Sequence, residues 1–561
     1  MEYSNNEEEF DKLVEKSYPS ETRRHINIPN ISIYEAFRLS AERYRDNIAI
    51  DFIGTKISYG NLKNEIEQAS AFLNNTGIHQ DDRLTLMLPN LPQYVVFFMA
   101  AAKLGITVVQ MNPLYTTTEI EYELKDSGSR NIVIMASSLK KVMPLKAKLL
   151  DNIIIVGVDD YLSPGKAFLF KLVDKENNIK IQQESGIIRY KHGIPGTTAE
   201  NAKIDPSSSA ALLQYTGGTT GVPKAATLTH RNLLANANQL IEWFPEDFKE
   251  KISYLASIPY FHVYGMMTAM LTPLLQGSEL IIIPDPRNQK MILNTIRKKK
   301  PTAFPGIPTM YHGIINYPRV EKYGIDNIKL CISGAMPLPQ EIQKKFEDIT
   351  GGTLVEGYGL SECSPVTNIS PLQSEYKSKR RQGSIGLPLP DTYEKIVDVN
   401  DGVTELPPGK EGELLIKGPQ VMMGYWNRPE ENKSTLTDGW LHTGDIAKMD
   451  NDGYFYIVDR KKDLIIAGGY NIYPREIEEV LYENPKVSEC AVIGIPHAHR
   501  GETVKAFIVP SDISLTEEEV KKYCMEKLSV YKIPKIIEFR DSLPLTLVGK
   551  IDKKALRNEK K

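Results

Sequence analysis

Apolar residues recur along the chain with two periods, one typical of buried strands and one typical of helices. Short runs rich in β-branched residues predict strands at residues 83–88, 106–111, 131–135 and 152–158. Helical spacing predicts helices at residues 59–73 and 93–102. Further strands are predicted at residues 254–258, 280–283 and 328–332, each leading into a loop with proline or glycine. The alternation indicates an α/β fold, in which ligands usually bind at such loops.

The pattern changes after about residue 460. Strands are then predicted at residues 464–467, 487–495, 504–509 and 536–539, and helices at 474–482 and 517–527. We therefore expect a large N-terminal α/β domain of several subdomains, residues 1–460, and a small C-terminal α+β domain, residues 461–561. The charged run at 459–463 fits either a solvated turn or a hinge. Residues 159–205 are polar and weakly patterned, so a loop between subdomains is expected there.

Composition narrows the classes of function. The 561 residues are 41% hydrophobic, enough for more than one core, and 68 basic against 71 acidic residues leave a formal charge of -3. A near-neutral chain is not expected to bind nucleic acid in general. Four scattered cysteines and a polar N-terminus without an apolar signal segment favour free thiols and a cytoplasmic protein. The apolar run 94–110 contains Lys103 and Gly105, which favours a core helix and strand over a membrane span.

The most informative segment is YTGGTTGVPK, residues 215–224. Its glycines can bring backbone N–H groups close to an anion, its threonines add hydroxyl donors, and Lys224 adds a positive charge. The segment departs from the Walker pattern because no Ser or Thr follows the lysine. Pro223 favours extended backbone before it, so the loop is not expected to run straight into a helix. The segment predicts a polyphosphate site, and a flexible linker is the alternative.

A second cluster, EGYGLSECSP, covers residues 356–365. Tyr358 lies between two glycines and can present its ring face to a purine. Ser361 and Glu362 suit a nucleotide that carries Mg²⁺, because this ion prefers one or two carboxylates together with phosphate oxygens and water. A tight turn with a buried tyrosine is the alternative. Cys363 stands where a nucleophile elbow requires glycine, so Ser361 is not expected to be a hydrolase nucleophile.

Two shorter elements follow in order. WLHTGD ends at Asp445, which can accept hydrogen bonds from ribose hydroxyls, and VGKI contains Lys550 near the C-terminus. Each alone also fits a common turn or a solvated lysine. Together with residues 215–224, 356–365 and 459–463, they make the chain resemble the adenylate-forming superfamily of acyl-CoA synthetases, adenylation domains and luciferases, from about residue 33 onwards. In detail it is most similar to prokaryotic long-chain fatty acid–CoA ligases.

The resemblance implies a large N-terminal domain, a mobile C-terminal domain, and a reaction in two steps. A fatty carboxylate attacks the α-phosphorus of ATP and releases pyrophosphate, and the thiol of coenzyme A then attacks the acyl-adenylate and releases AMP. ATP, Mg²⁺ and coenzyme A are the implied cofactor and co-substrates. Lys550 would bridge the carboxylate and the α-phosphate in the first step and withdraw for the second. The resemblance is compatible with a homodimer and with transient peripheral membrane contact.

The resemblance also assigns the site residues. The implied catalytic groups are Lys550, Glu362 (also the metal ligand), Lys224 and His262. The implied nucleotide-binding residues are Thr216, Gly217, Gly218, Thr219, Thr220, Gly221, Lys224, Gly334, Ala335, Glu356, Gly357, Tyr358, Gly359, Ser361, Asp445 and Arg460. Lys462 occupies the hinge position, and Gly468, Gly469 and Tyr470 would admit coenzyme A. The implied acyl-binding residues are Tyr260, His262, Val263, Gly306 and Ile307, and packing alone is the alternative for His262.

The chain departs from the family pattern at three positions. Ala225 and Ala226 stand where relatives commonly have glycine and valine, and Leu547 replaces a small or polar residue before Lys550. None of these changes removes a ligand atom. Three alternatives remain open: a medium-chain or aryl acid substrate, a free-standing adenylation enzyme that loads a carrier protein, and a nucleotide sensor without catalysis.

Overall fold

Helices and strands alternate along the chain, as the apolar pattern predicts. The computed structural model describes residues 2–173, 186–191, 199–216, 223–461, 463–467, 470–497, 501–545 and 551–559. The α-helices are α1 (Glu2–Val14), α2 (Ile33–Arg43), α3 (Tyr59–Asn75), α4 (Pro92–Leu104), α5 (Thr117–Ser127), α6 (Leu139–Leu149), α7 (Pro164–Val173), α8 (His230–Trp243), α9 (Val263–Met266), α10 (Thr272–Leu275), α11 (Gln289–Lys299), α12 (Pro308–Ile315), α13 (Gln340–Thr350), α14 (Pro429–Thr435), α15 (Pro474–Tyr482), α16 (Glu517–Lys527) and α17 (Lys553–Asn558).

The described residues also form strands, which are numbered in chain order. They are β1 (Ile48–Phe52), β2 (Thr55–Ser58), β3 (Arg83–Met87), β4 (Thr107–Gln110), β5 (Asn131–Met135), β6 (Asn152–Val156), β7 (Ile187–Arg189), β8 (Ala210–Thr216), β9 (Lys224–Thr229), β10 (Ser253–Ala256), β11 (Glu279–Ile282), β12 (Leu330–Ser333), β13 (Thr353–Gly359), β14 (Val366–Ile369), β15 (Leu387–Pro388), β16 (Tyr393–Val397), β17 (Gly412–Lys417), β18 (Gly424–Tyr425), β19 (Leu436–Thr437), β20 (Trp440–Met449), β21 (Phe455–Arg460), β22 (Ile465–Ala467), β23 (Tyr470–Ile472), β24 (Val487–His497), β25 (Gly501–Pro510) and β26 (Ile536–Phe539).

Five sheets are formed by the strands of the described residues. The largest has the order β18-β9-β8-β4-β3-β5-β6-β7. The others have the orders β10-β11-β1-β2, β12-β13-β14-β15, β16-β17-β20-β19 and β23-β22-β25-β24. Strand β21 also pairs with β20, and β26 pairs with β25. The prediction of an α/β fold is confirmed.

The apolar run around residue 100 forms a buried helix and strand, as predicted. Every residue of α4 is buried, which is expected of a helix that is apolar on all sides. The helix ends at Gly105, whose φ of 68° is the left-handed conformation that glycine adopts without strain. Lys103 lies inside α4 and forms an ion pair with Glu67. Among the described residues, no helix is both long and apolar enough to cross a membrane.

The expectation of a loop at residues 159–205 is wrong for part of that segment. Its described residues include α7 and the edge strand β7, which pairs in parallel with β6 in the register Ile153↔Ile187. Arg189 of this strand donates a hydrogen bond to Asp160 at 2.7 Å. A strand of three residues is too short for the apolar period to reveal.

Parallel strands bring several candidate loops to one sheet edge. Ala303 bridges Tyr254 of β10 and Leu330 of β12, both in parallel, and β12 pairs in parallel with β13. The carboxyl ends of these strands therefore lie side by side. The segments that follow them contain His262 and Gly334, so the fold gathers several predicted site residues where α/β proteins bind ligands.

The chain divides into two compact units. The larger comprises residues 1–393, 416–441 and 452–454, and the smaller comprises residues 394–415, 442–451 and 455–561. The smaller unit has its own core, in which Ile465, Ile477 and Val492 are fully buried. The predicted domain boundary between residues 460 and 461 stays a prediction.

Arg24 fixes the N-terminal segment within the larger unit, and we expect its loss to be costly. Its side chain is 2% exposed and pairs with Asp11 at 2.7 Å. It also donates to the backbone oxygens of Leu389 at 2.8 Å and Thr392 at 2.6 Å. Because Arg24→Met removes a buried donor from the Asp11 carboxylate and from two buried carbonyls, it should lower the free energy of unfolding by about 3–5 kcal/mol in guanidinium titrations.

The neighbouring Arg23 provides a matched control. Its side chain is 72% exposed and pairs with Glu242 at 2.6 Å. Exposed ion pairs contribute little, so Arg23→Ala should cost less than about 1 kcal/mol. Equal losses for the two variants would contradict the anchoring role of Arg24.

Candidate active site

The Gly/Thr-rich segment connects two antiparallel strands. β8 ends at Thr216 and β9 begins at Lys224, and these residues are partners in the strand register. The Thr216 hydroxyl donates to the Lys224 carbonyl at 3.4 Å. A strand follows Pro223, so the prediction that no helix follows the loop is confirmed. The loop residues themselves lie outside the described residues: Gly217, Gly218, Thr219, Thr220 and Gly221.

The ends of this loop are anchored on helix α5. The Tyr215 hydroxyl donates to Asp126 Oδ2 at 2.8 Å, and Arg428 donates to Asp126 Oδ1 at 2.6 Å. The hydroxyl of Tyr122, one turn earlier on the helix, donates to the Pro223 carbonyl at 2.8 Å. The residues on both sides of the loop are therefore held by the same helix face.

Lys224 lies between an acidic residue and an aromatic ring. Its Nζ is 2.5 Å from Glu431 Oε2 and 5.5 Å from the centre of the Tyr425 ring. The Tyr425 hydroxyl in turn donates to Glu362 Oε1 at 2.7 Å. The structure thus joins the two charged groups that the sequence assigned to phosphate and metal, through a tyrosine that sequence reasoning missed. Glu431 was missed as well.

Tyr425 remains a hydrogen-bond donor in this arrangement. Burial raises its pKa, and the nearby carboxylates of Glu362 and Glu431 raise it further. The neutral phenol therefore persists at physiological pH and holds one oxygen of Glu362. The Glu362 backbone oxygen also accepts from the Met422 N–H at 2.7 Å, which fixes the short turn Ser361–Cys363.

The departures at Ala225 and Ala226 lie directly under this network. Both side chains are fully buried. Ala226 is the register partner of Tyr425, and the Trp426 N–H donates to the Ala225 carbonyl at 2.8 Å. Small side chains at both positions therefore fit a strand pairing that places Tyr425 beside Lys224.

Glycines are required around the predicted purine site. A Cβ on Gly359 would lie 1.9 Å from the Pro365 carbonyl oxygen, and one on Gly357 would lie 2.8 Å from Ile332 Cγ2. Tyr358 lies between them in β13 and is half-buried. The Glu356 carboxylate accepts from the Leu338 N–H at 3.1 Å. The first part of the cluster, residues 356–359, is thus the end of a strand, and the short turn Ser361–Cys363 follows it, so the alternative of a tight turn applies only to the second part.

Gly334 and Gly306 are brought together by Tyr264, a residue that the sequence did not single out. The Tyr264 hydroxyl donates to the Gly306 carbonyl at 3.1 Å and to the Ile332 carbonyl at 2.8 Å. A Cβ on Gly334 would lie 2.8 Å from the Tyr264 ring. Ala335 follows with a φ of 68°, which is strained for a residue other than glycine. Such strain is commonly kept at ligand sites.

The predicted acyl-binding residues differ in exposure. Tyr260 and Val263 are buried, and the Tyr260 hydroxyl donates to the Ala269 carbonyl at 3.3 Å. His262 is half-buried at the start of α9, and Ile307 is half-buried at the start of α12. The two half-buried residues thus lie at helix starts that follow the carboxyl edge of the sheet.

Asp445 and Arg460 form a pair in the smaller unit. They are register partners in β20 and β21, and Arg460 Nε lies 2.7 Å from Asp445 Oδ1. Asp445 is buried. The expectation of a turn at Thr443–Asp445 is wrong, since these residues lie inside β20. The geometry still brings together the two residues assigned to ribose.

The charged run at 459–463 contains one buried acid. Asp459 accepts from the Arg460 N–H at 2.7 Å and from the Arg475 N–H at 2.9 Å. Burial raises its pKa to about 6, although Lys553 and these N–H groups oppose the shift. A wholly solvated turn is therefore excluded for Asp459.

Several assigned residues cannot be placed. Lys550, Lys462, Gly468, Gly469 and Leu547 lie outside the described residues. Tyr470 begins β23. The four cysteines are thiols outside any disulfide, as predicted, and all are buried: Cys331, Cys363, Cys490 and Cys524.

Comparison with known proteins identifies the family. Residues 37–426 match the AMP-binding enzyme family, and residues 476–550 match the C-terminal domain of AMP-binding enzymes. The chain is 42% identical to a long-chain-fatty-acid–CoA ligase of Bacillus subtilis, over 97% of both chains. It is 38% identical to the ligase of that name from Escherichia coli O6:H1, again over 97% of both.

A solved structure agrees with the sequence matches. The fold is similar to that of ATP-bound MatB from Rhodopseudomonas palustris, with a TM-score of 0.81, 29% identity, and coverage of 94% of this chain and 98% of that one. The chain belongs to the AMP-binding enzyme family. The predicted resemblance to adenylate-forming enzymes is confirmed.

Asp459 predicts how stability depends on pH. Because its folded-state pKa of about 6 lies above the ordinary value of 3.8, folding favours the protonated acid. That stabilisation is complete below the ordinary pKa and is lost as pH rises through about 6. In urea titrations, wild type should lose about 1–2 kcal/mol between about pH 5 and pH 8 relative to Asp459→Asn.

Asp512 supplies a control of opposite sign in the same unit. The Ser514 N–H donates to this exposed carboxylate at 2.9 Å and holds its pKa below the ordinary value. Asp512→Asn should therefore remove a stabilisation that is present at neutral pH and lost in acid. Parallel pH profiles for wild type and Asp459→Asn would show that Asp459 is not the titrating group.

Proposed function

We propose that this protein ligates a long-chain fatty acid to coenzyme A, with ATP as the energy source and an acyl-adenylate as the intermediate. The carrying observation is the joining of Lys224 to Glu362 through Tyr425, at the base of the Gly/Thr-rich loop. The acyl substrate is supported by the two ligases that match nearly the whole chain. The products are acyl-CoA, AMP and pyrophosphate.

The first step forms one bond and breaks one. A carboxylate oxygen of the fatty acid attacks the α-phosphorus of ATP, and the bond from that phosphorus to the pyrophosphate oxygen breaks. This chemistry requires positioning and charge neutralisation more than covalent catalysis. Lys224 and the amides of its loop hold the leaving pyrophosphate, and Lys550 bridges the carboxylate and the α-phosphate.

Glu362 suits the ion that accompanies ATP. It presents a carboxylate, the ligand type that Mg²⁺ prefers beside phosphate oxygens. One of its oxygens is held by the Tyr425 hydroxyl at 2.7 Å, which fixes the side chain. When bound, Mg²⁺ neutralises phosphate charge as the pyrophosphate leaves. Glu362 would hold this ion, and Tyr425 would keep the carboxylate in place.

The remaining assignments extend this site. Tyr358 stacks on adenine, Gly334 and Ala335 line the base, and Asp445 with Arg460 binds the ribose. Ser361 binds the α-phosphate. Lys462 serves as the hinge of a mobile C-terminal domain.

The second step requires the C-terminal domain to move. Its movement withdraws Lys550 and brings the loop of Gly468, Gly469 and Tyr470 to the site, where coenzyme A enters. The thiol sulfur then attacks the acyl carbon, the bond from that carbon to the phosphate oxygen breaks, and AMP leaves with the thiol proton lost to water.

The compartment and assembly are also proposals. Four separate, buried thiols fit a reducing cytoplasm. A homodimer and transient peripheral contact with a membrane, which would supply an apolar substrate, follow from the family resemblance. The acyl group is placed beside Tyr260, Val263, Gly306 and Ile307, with His262 near the carboxylate.

The direct test is release of AMP and pyrophosphate from ATP and Mg²⁺. Fatty acids of increasing length and one aromatic acid are supplied, each with and without coenzyme A. We expect acyl-thioester formation that depends on coenzyme A and is greatest with long chains, because the substrate must fill an apolar site.

Other outcomes separate the alternatives. A maximum with medium-chain or aromatic acids would keep the mechanism and replace the substrate. Adenylate without thioester would indicate an enzyme that loads a carrier protein. No turnover with any acid would leave a nucleotide sensor and refute the proposal.

Glu362→Gln tests the metal assignment. The amide keeps the size of the side chain and an oxygen for Tyr425, but it loses the charge that binds Mg²⁺. We expect kcat to fall about 100-fold and the Mg²⁺ concentration for half-maximal rate to rise. The exposed Glu341, which pairs with Lys345 on the surface, supplies the control Glu341→Gln. An unchanged Mg²⁺ dependence in Glu362→Gln would contradict the assignment.

A further inference from the structure

Glu431 is held beside Lys224 by its own segment. The next residue, Asn432, accepts from the Tyr425 N–H at 2.7 Å and donates to the Tyr425 carbonyl at 2.9 Å. These two bonds tie the start of α14 to β18, which pairs with β9. The position of the Glu431 carboxylate is therefore fixed by the same strand that carries Tyr425.

The adjacent Glu430 differs from Glu431 in both its exposure and its ion-pair partner. Glu430 is 81% exposed and pairs with Lys433 at 2.8 Å on the surface. Glu431 is 38% exposed, and its partner Lys224 is 13% exposed. One acid of the pair thus faces solvent, and the other neutralises the lysine at the base of the loop.

The two roles of Lys224 conflict. A pyrophosphate group bound at Lys224 requires the same ammonium group that Glu431 contacts at 2.5 Å. A phosphate oxygen placed there would also lie close to the Glu431 carboxylate, and like charges in a partly buried site repel strongly. Binding of the anion therefore requires Glu431 to give up Lys224.

We infer that Glu431 is a displaceable counterion, which holds Lys224 when the site is empty and exchanges with the pyrophosphate portion of the nucleotide. The inference rests on the proposed function and adds a control of product release to it. After the first step, Glu431 competes with pyrophosphate for Lys224 and so favours its departure. Tyr425 stays in place through both states, since its hydroxyl is committed to Glu362.

The inference predicts the direction in which one substitution changes the affinity for pyrophosphate. Glu431→Gln removes the competing charge, so inorganic pyrophosphate with Mg²⁺ should bind about three- to tenfold more tightly in isothermal titration calorimetry. Pyrophosphate should also become a stronger product inhibitor of AMP formation by a similar factor. Glu430→Gln, the matched control, should leave both values at the wild-type level, and Glu431→Asp should stay closer to wild type.

A double-substitution cycle tests whether Glu431 acts through Lys224. In the Lys224→Ala background, Glu431→Gln should tighten pyrophosphate binding less than it does in wild type, because no ammonium group remains to be released and only the direct repulsion between Glu431 and phosphate is relieved. A structural role for Glu431 would instead weaken pyrophosphate binding in Glu431→Gln. Weaker or unchanged binding in that variant, with a wild-type melting temperature, would overturn the inference.

Failure of the proposed function has a different signature. If Lys224→Ala binds pyrophosphate as tightly as wild type, Lys224 is not the pyrophosphate ligand and the site assignment fails. If Lys224→Ala binds weakly and Glu431→Gln does not bind more tightly, the assignment stands and only the counterion inference fails.

Discussion

The pairing of β18 with β9 is the contact on which the candidate site depends. The two strands come from distant parts of the chain, and their register sets Tyr425 opposite Ala226. The ring of Tyr425 then lies under Lys224 while its hydroxyl reaches Glu362. Without this pairing, Tyr425 would not connect Lys224, at the end of the loop, to the carboxylate of Glu362. A two-residue strand therefore sets the position of Lys224 relative to Glu362, the residues that are proposed to bind phosphate and metal.

Burial fixes the direction of the hydrogen bond between Tyr425 and Glu362. The pKa of Tyr425 is raised by burial and by two carboxylates, so the phenol keeps its proton and can only donate to Glu362. The same ring attracts Lys224 through its face. One side chain thus orients an anion and a cation, the two groups that are proposed to bind the metal ion and the phosphates of the nucleotide.

The sequence predicted the elements better than it predicted their contacts. Most strands and helices follow from apolar period and turn residues, which are local, and Pro223 was enough to exclude a helix after the loop. The strand β7 was missed because three residues show no period, and Asp445 was placed in a turn because the Thr-Gly-Asp sequence also suits one. Tyr425 and Glu431 were missed because their importance comes from pairing with Lys224, about two hundred residues away, and no local period encodes such a partner.

The balance of charge explains why two acids flank one lysine. A lysine buried without a counterion would be costly, and a carboxylate at the same depth equally so. Glu431 neutralises Lys224 at 2.5 Å, and the Tyr425 hydroxyl donates a hydrogen bond to Glu362. On the proposed function, phosphate would take the place of Glu431 at the lysine, and Glu362 would hold the metal ion that accompanies the nucleotide. Lys224 would then have a negative partner in both states, and the released Glu431, whose side chain is 38% exposed, would be solvated. The carboxylate that would compete with the incoming nucleotide for Lys224 would therefore also help pyrophosphate to leave.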